Sequence, residues 1–304
     1  MWISRVIWQN LLPLNNVINE MKIAVEAAHE AGSAILEIYA RDFDVEYKAD
    51  DSPLTEADRV AHEVISVYLA STPYPVLSEE SKAIPFEVRK EWDRYWLVDP
   101  IDGTKEFIRK NGEFTVNIAL IEQGRPILGV VLVPVSSVFY LGSDVGAFKA
   151  EFGIHYESLD ELLQLIDSGC ADLERISVSG AVLGSLKVVA SKSHCNEQTL
   201  AFIEQAERVY GSSKRVSSGS SIKLCMVAEG VADFYPRVAP TCEWDTAAAQ
   251  AVVDASGGAV FIYDSGVAAH QYVTSNKSLD KVAYNKVDIL NPYFIVSGLH
   301  KYNT

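Results

Sequence analysis

Tyr95-Trp96-Leu97-Val98-Asp99-Pro100-Ile101-Asp102-Gly103-Thr104 joins an apolar run to two carboxylates and a glycine in one unbroken segment. The run Tyr95 to Val98 has the length and side chains of a buried strand. Pro100 disfavours the α conformation for the residue before it, which keeps Asp99 extended at an exposed strand end. Gly103 permits a sharp turn that brings Asp102 round beside Asp99. Carboxylates that close repel, and one pKa rises unless a cation lies between them. Such an oxygen-rich pair suits magnesium, which takes one or two carboxylates together with waters and substrate phosphate. The turn also frees the Ile101 carbonyl as a ligand. It presents the N–H groups of Gly103 and Thr104, at a helix start, to a phosphate. Taken alone, the stretch reads equally as an Asx-type turn with solvated carboxylates.

Three further acidic segments bear on that choice. Leu77-Ser78-Glu79-Glu80-Ser81 places paired glutamates after a short strand, where a solvated loop is the plain alternative. Glu243-Trp244-Asp245-Thr246-Ala247-Ala248 puts Asp245 at a helix start, a position Asp favours as a cap for its own sake. Thr55-x-x-Asp58 has the form of a capping box. Each plain reading suffices singly. All four together, in one order along the chain, favour a shared metal site.

Outward from these segments, Ile23, Ala27, Ala31, Ile35 and Ile38 recur at three- or four-residue spacing and predict a helix from Met21 to Ala40. A second helical pattern runs from Thr55 to about Leu69. Thr115 to Ile121 and Ile127 to Val133 flank Gln123-Gly124 as a hairpin. Ser158 to Ile166 reads as a short helix in an acidic connection. Beyond it come a strand at Lys187 to Ala190 and helices at Glu197 to Glu207 and Ser220 to Ala228. A strand at Asp233 to Tyr235 precedes a helix at Asp245 to Ala255 that stops at Gly257-Gly258, and Ala259 to Tyr263 is a final strand. This predicts an α+β half followed by an α/β half. The expected division is an extension (1–20), an α+β domain with most of the acidic residues (21–150), a connection (151–186) and an α/β domain (187–304).

Of 304 residues, 48% are hydrophobic and 22% charged, as in globular enzymes. No stretch approaches the ~18 apolar residues of a membrane span. From Met1 to Pro13, Trp2, Ile3, Val6, Ile7, Trp8, Leu11 and Leu12 are interrupted by Arg5, Gln9 and Asn10, and no small-residue cleavage site follows. That is not the pattern of a signal peptide. Peripheral attachment to the inner face of the membrane is the alternative to an extension of little consequence, with folding starting near Met21. The net charge of −15 argues against a nucleic-acid polymer as partner. It also demands that bound cations neutralise any pocket for an anionic substrate. Cys170, Cys195, Cys225 and Cys242 contain no C-x-x-C pair and read as thiols of a reducing compartment. Cytoplasm is the expected location. Oligomeric state is not legible.

Asp99-Pro100-Ile101-Asp102-Gly103-Thr104, Trp244-Asp245-x-Ala247 and Glu79-Glu80-Ser81 resemble the signature motifs of the inositol monophosphatase superfamily, whose members are magnesium-dependent, lithium-sensitive phosphatases. The resemblance covers most of the chain from Met21 onward. It implies an αβαβα sandwich and two or three magnesium ions held by Glu79, Asp99, the Ile101 carbonyl, Asp102 and Asp245. Asp58 and Thr104 would position the attacking water, with Glu79 also in the catalytic set. The segments Lys48-x-Asp50-Asp51-Ser52-Pro53, Lys105-Glu106-Phe107-Ile108, Asn111 to Ala119 and Tyr235-Pro236-Arg237 are more similar to the CysQ-type 3′(2′),5′-bisphosphate nucleotidases. That branch implies a nucleotide bisphosphate as substrate, 3′-phosphoadenosine 5′-phosphate above all. Gly103, Thr104, Asp245, His194, Ser220, Lys223 and Arg237 would then contact it. An inositol or sugar-phosphate phosphatase, or a non-catalytic metal-binding relative, remains as the alternative.

Overall fold

In the computed structural model, which describes residues 14–48, 53–152, 156–182, 184–190 and 196–300, alternate residues of the apolar runs divide between two cores. Trp96, Val98, Val116, Ile118 and Leu120 enter one core, whereas Tyr95, Leu97, Ala119 and Ile121 enter the other. Successive strand side chains point to opposite faces, so this partition marks a sheet buried on both sides.

The chain opens with α1 (Leu14–Tyr39), the strand pair β1 (Val45–Tyr47) and β2 (Pro53–Thr55), and α2 (Glu56–Leu69). Then follow β3 (Val76–Ser78), α3 (Phe86–Arg89), β4 (Arg94–Asp102), α4 (Thr104–Ile108), β5 (Thr115–Glu122), β6 (Arg125–Val133), β7 (Val138–Ser143) and β8 (Gly146–Glu151). After α5 (Leu159–Asp167) and β9 (Glu174–Arg175) come β10 (Leu186–Val189), α6 (Glu197–Tyr210), β11 (Ser213–Val216), α7 (Ile222–Ala228) and β12 (Phe234–Arg237). The last elements are α8 (Ala247–Ala255), β13 (Ala259–Ile262) and β14 (Phe294–Ser297). The larger sheet runs in order from β3 to β9; only β3 and β4 are parallel. The smaller sheet has the order β11-β10-β12-β14-β13.

Ala28 and Ile35 of α1 and Ala61 and Ile65 of α2 pack on the outer face of the large sheet. On its inner face lie Leu224 of α7 and Val252 of α8, which also meet Val260 and Val296 of the small sheet. Phe202 and Ile203 of α6 close the far side against Val188, Phe261 and Ile295. The layers are therefore αβαβα, as expected.

Local chemistry explains the details. Gln123 and Gly124 both have positive φ, 49° and 75°, which makes the β5–β6 hairpin turn. Gly257 (φ 93°) ends α8, with Gly257 N–H donating to Asp254 O and Gly258 N–H to Val253 O. Gly129 and Gly142 face each other across β6 and β7. A Cβ on Gly129 would lie 2.0 Å from the Ala248 carbonyl oxygen, and one on Gly142 2.4 Å from Val252 Cα. These two glycines let α8 sit directly on the sheet.

Three expectations change. Helix α1 starts at Leu14 rather than near Met21, and Val17 and Glu20 are already buried, because the apolar stripe continues backwards. The stretch 151–186 is more than a connection: α5 places Leu162 and Ile166 in the first core, and β9 pairs with β8. Strand β14, between β12 and β13 in the small sheet, was not expected. Among the described residues no helix is long and apolar enough to cross a membrane. The apolar run Met1 to Pro13 lies outside the described residues.

Candidate active site

Strand β4 does not stop at Asp99. It continues through Asp102, with an irregularity that sets Asp99 opposite Asn117 and Asp102 opposite Thr115. Asp99 is thus not at an exposed strand end but 1% exposed, which corrects the sequence reading. Pairing with β5 carries the strand past Pro100, and the bulge absorbs the extra residue. The sharp turn falls at Gly103 (φ 97°, ψ 42°), which leads directly into α4. Parallel pairing of β3 with β4 aligns Ser78 with Val98, and Glu79 N–H donates to Val98 O at 3.1 Å. Glu79 thereby stands beside Asp99. Asp245 arrives from the turn before α8, where its Oδ2 accepts from Cys242 N–H at 2.9 Å.

One carboxylate oxygen from each of Glu79, Asp99 and Asp245 lies within 4.8 Å of the others. Burial, then Glu79, Asp102, Asp245 and Asp58, push the Asp99 pKa well up. Burial and Asp102 do the same to Asp245. At Asp102 burial raises the pKa to about 6 against the opposing effects of Lys223 and the Ser221 N–H. The donor set is all oxygen and its charges repel one another, which fits a hard divalent cation. Lys48, from the segment after β1, reaches the rim and pairs with Glu79 Oε1 at 2.8 Å and Glu80 Oε1 at 2.6 Å. Burial opposes the Lys48 charge, but the two glutamates outweigh it and raise its pKa.

Asp58 combines both readings of its segment. Thr55 is extended at the N-cap of α2, and Asp58 Oδ2 accepts from Thr55 N–H and from Thr55 Oγ1, each at 2.7 Å. Its other oxygen, Oδ1, accepts from the Thr104 hydroxyl at 3.3 Å. Thr104 Oγ1 also lies 3.4 Å from the Ile101 carbonyl oxygen. Burial raises the Asp58 pKa, although the Thr55 hydrogen bonds lower it.

Asp102, Gly103 and Asp245 also line a cleft of about 320 Å³, together with Ser220, Lys223 and Arg237. Lys223 is buried, and desolvation lowers its pKa to about 8 despite the attraction of Asp102. The expected helix at Ser220 starts only at Ile222, because Ser220 has a left-handed φ of 42° that cannot continue it. Arg237 donates from Nη2 to Pro240 O at 3.0 Å, and no protein group bonds its buried Nε. His194, with Asp50 and Asp51, lies outside the described residues.

Sequence reading gave no role to three residues near this centre. Glu243 is fully buried, binds Lys286 Nζ at 2.6 Å and accepts from the N–H groups of Asn285 and Lys286, anchoring the segment that carries Asp245. Its only signal was one more acid beside Trp244. Thr115 and Asn117 are buried polar residues in an apolar strand, a visible break in pattern.

Relatives fit this geometry. A profile of the inositol monophosphatase family matches residues 18–291. The 3′(2′),5′-bisphosphate nucleotidase CysQ of Escherichia coli strain K12 is 43% identical over 276 residues, spanning 90% of this chain and 97% of that protein. CysQ of Salmonella typhimurium is 42% identical with the same coverage. The crystal structure of CysQ from Bacteroides thetaiotaomicron, 42% identical, superposes with a TM-score of 0.76 over 96% of this chain and 100% of that one. SuhB of Bartonella henselae, 22% identical, shares the fold at a TM-score of 0.66. With Glu79, Asp99 and Asp245 converging and the profile covering most of the chain, the chain belongs to the inositol monophosphatase family.

Proposed function

We propose that the chain is a magnesium-dependent 3′(2′),5′-bisphosphate nucleotidase that hydrolyses 3′-phosphoadenosine 5′-phosphate to AMP and inorganic phosphate. The observation that carries this reading is that Asp245, one of the three clustered carboxylates, and Asp102 beside it line the same cleft as Lys223 and Arg237. A substrate with two phosphates would meet acids and bases of that cleft together. That the CysQ relatives are 3′(2′),5′-bisphosphate nucleotidases supports the same choice.

Glu79, Asp99, the Ile101 carbonyl, Asp102 and Asp245 would hold two or three magnesium ions. When bound, magnesium supplies positive charge against the phosphoryl oxygens and lowers the pKa of water. The chain's own residues do the rest. Thr104 donates its proton to Asp58 Oδ1, which leaves its oxygen lone pairs to accept a hydrogen bond from the attacking water. Asp58, pinned by Thr55 and with a pKa raised by burial, is suited to receive the proton that water loses through Thr104. The Gly103 and Thr104 N–H groups face the phosphate that leaves. Lys223 adds a point charge and Arg237 a planar fork for the remaining phosphate, with Ser220 beside them. His194 would complete the nucleoside contacts.

Phosphate release should be measured across nucleotide bisphosphates, inositol 1-phosphate and sugar phosphates, with and without magnesium. The expected result is magnesium-dependent release with 3′-phosphoadenosine 5′-phosphate strongly preferred. A decisive preference for the inositol ester would overturn the substrate. No release from any ester, despite magnesium binding, would identify a non-catalytic relative.

A further inference from the structure

Thr115 and Asn117 are the buried polar residues of β5, and they stand opposite Asp102 and Asp99 respectively. Their exposures are 0% and 1%. Both reach Ser221, itself 1% exposed and immediately before α7. Ser221 Oγ donates to Asn117 Oδ1 at 2.8 Å and lies 2.8 Å from Thr115 Oγ1, which also donates to Ser220 Oγ at 3.2 Å. This relay ties the strand behind the carboxylates to the segment that presents Ser220 and Lys223.

The relay uses only half of the Asn117 amide. Asn117 Nδ2 is buried and bonds no protein atom. A fully buried amide with both N–H groups idle is costly, and within a satisfied network it marks an acceptor supplied from elsewhere. Cross-strand partners hold their Cβ atoms about 4.5–5.5 Å apart, so the Asn117 amide is within reach of oxygens gathered at Asp99. The reverse orientation would turn Oδ1 toward carboxylates, acceptor against acceptor. An apolar residue, like Val116 or Ile118 beside it, would serve the sheet alone.

We infer that Asn117 is a positioning residue of the acidic centre, whose idle amide donates to the oxygen shell that assembles around Asp99 when a divalent cation is held there. This rests on the proposed magnesium-dependent function and adds a residue to it. Outer-shell donors of this kind orient the ligands and tune the affinity of the site.

The test uses the full chain and magnesium alone, titrated calorimetrically, with thermal midpoints in chelator and steady-state kinetics alongside. Asn117→Leu keeps the side-chain volume and removes the idle donor. It also removes the Oδ1 that accepts from Ser221, so its midpoint in chelator should fall about as far as that of a variant that cuts the relay alone, while its magnesium Kd should rise about 10-fold or more and KM for the bisphosphate should stay within about twofold. Ser221→Ala, which cuts the relay but leaves the amide, should lower the midpoint with magnesium affinity near that of the parent. If Asn117→Leu fails to fold, Asn117→Ala, which cannot overpack the site, reads the same affinity. Unchanged magnesium affinity in the Asn117 variants would overturn the inference. Failure of the parent chain to bind magnesium would instead overturn the function it rests on.

Discussion

Asp58 serves two partners with its two oxygens. Oδ2 caps α2 through Thr55, while Oδ1 faces Thr104, so the helix start holds the proposed base in place at no cost to its other lone pairs. A similar economy governs Asp99, whose carboxylate lies buried among acids that all raise its pKa. Asp99→Asn removes one repelling charge and one ligand together. It should lower kcat at least about a hundredfold, while the metal-free thermal midpoint holds or rises. A midpoint well below that of the parent would show that the Asp99 charge supports the fold. Arg237 is a different case, because it lines the cleft and its buried Nε has no protein partner. Charge-assisted hydrogen bonds contribute about 1.5–3 kcal/mol. Arg237→Ala should therefore raise KM for the bisphosphate ~10- to 100-fold and leave KM for a monophosphate ester within about twofold. Equal rises would remove Arg237 from recognition of the second phosphate.

At the scale of elements, α8 decides where Asp245 stands. Its alanine-rich face lies on Gly129 and Gly142, where an added Cβ has no room against helix backbone. Gly142→Ala must push α8 from the sheet or bend β7, and overpacking of this kind costs about 1–3 kcal/mol. Asp245 would move with the helix. The expected outcome is a lower thermal midpoint together with weaker magnesium binding, measured on the same sample. An unchanged midpoint with parental magnesium affinity would show that the glycine seat does not set the helix position. Elements also mark what the sequence could reveal. The hairpin at Gln123-Gly124 and the stop at Gly257 were legible because turn chemistry is local. The burial of Asp99 was not, since it depends on how β4 pairs with β5 beyond the proline. Strand β14 was not read either, although Phe294–Ser297 is as long as β10 and β13, which were.

Across the whole molecule, the site residues were legible wherever contiguous motifs carry them, as in Asp99 to Thr104 or Trp244 to Ala247. Lys48, Asn117 and Glu243 stand in segments already visible in the sequence, but which groups they touch is set only once the layers have formed. The assembled centre gathers acids in a chain of net charge −15, and this gives the metal-free protein a definite response to pH. Unfolded carboxylates titrate near pH ~4. In the folded chain Asp99 and Asp245 are raised well above that, and Asp102 to about 6. Between these values the folded state binds more protons than the unfolded state, so stability falls as pH rises. It is fully restored only below the unfolded range, where both states are protonated. In chelator, the thermal midpoint should therefore drop between pH 5 and pH 7. Saturating magnesium should abolish that drop, because the loaded site favours the ionised carboxylates. It should also raise the midpoint at pH 7, with a gain of about 2.7 kcal/mol at a hundredfold excess over Kd. A chelated protein that gains stability from pH 5 to pH 7, or one whose midpoint ignores magnesium, would contradict the convergence of these acids on a shared metal centre.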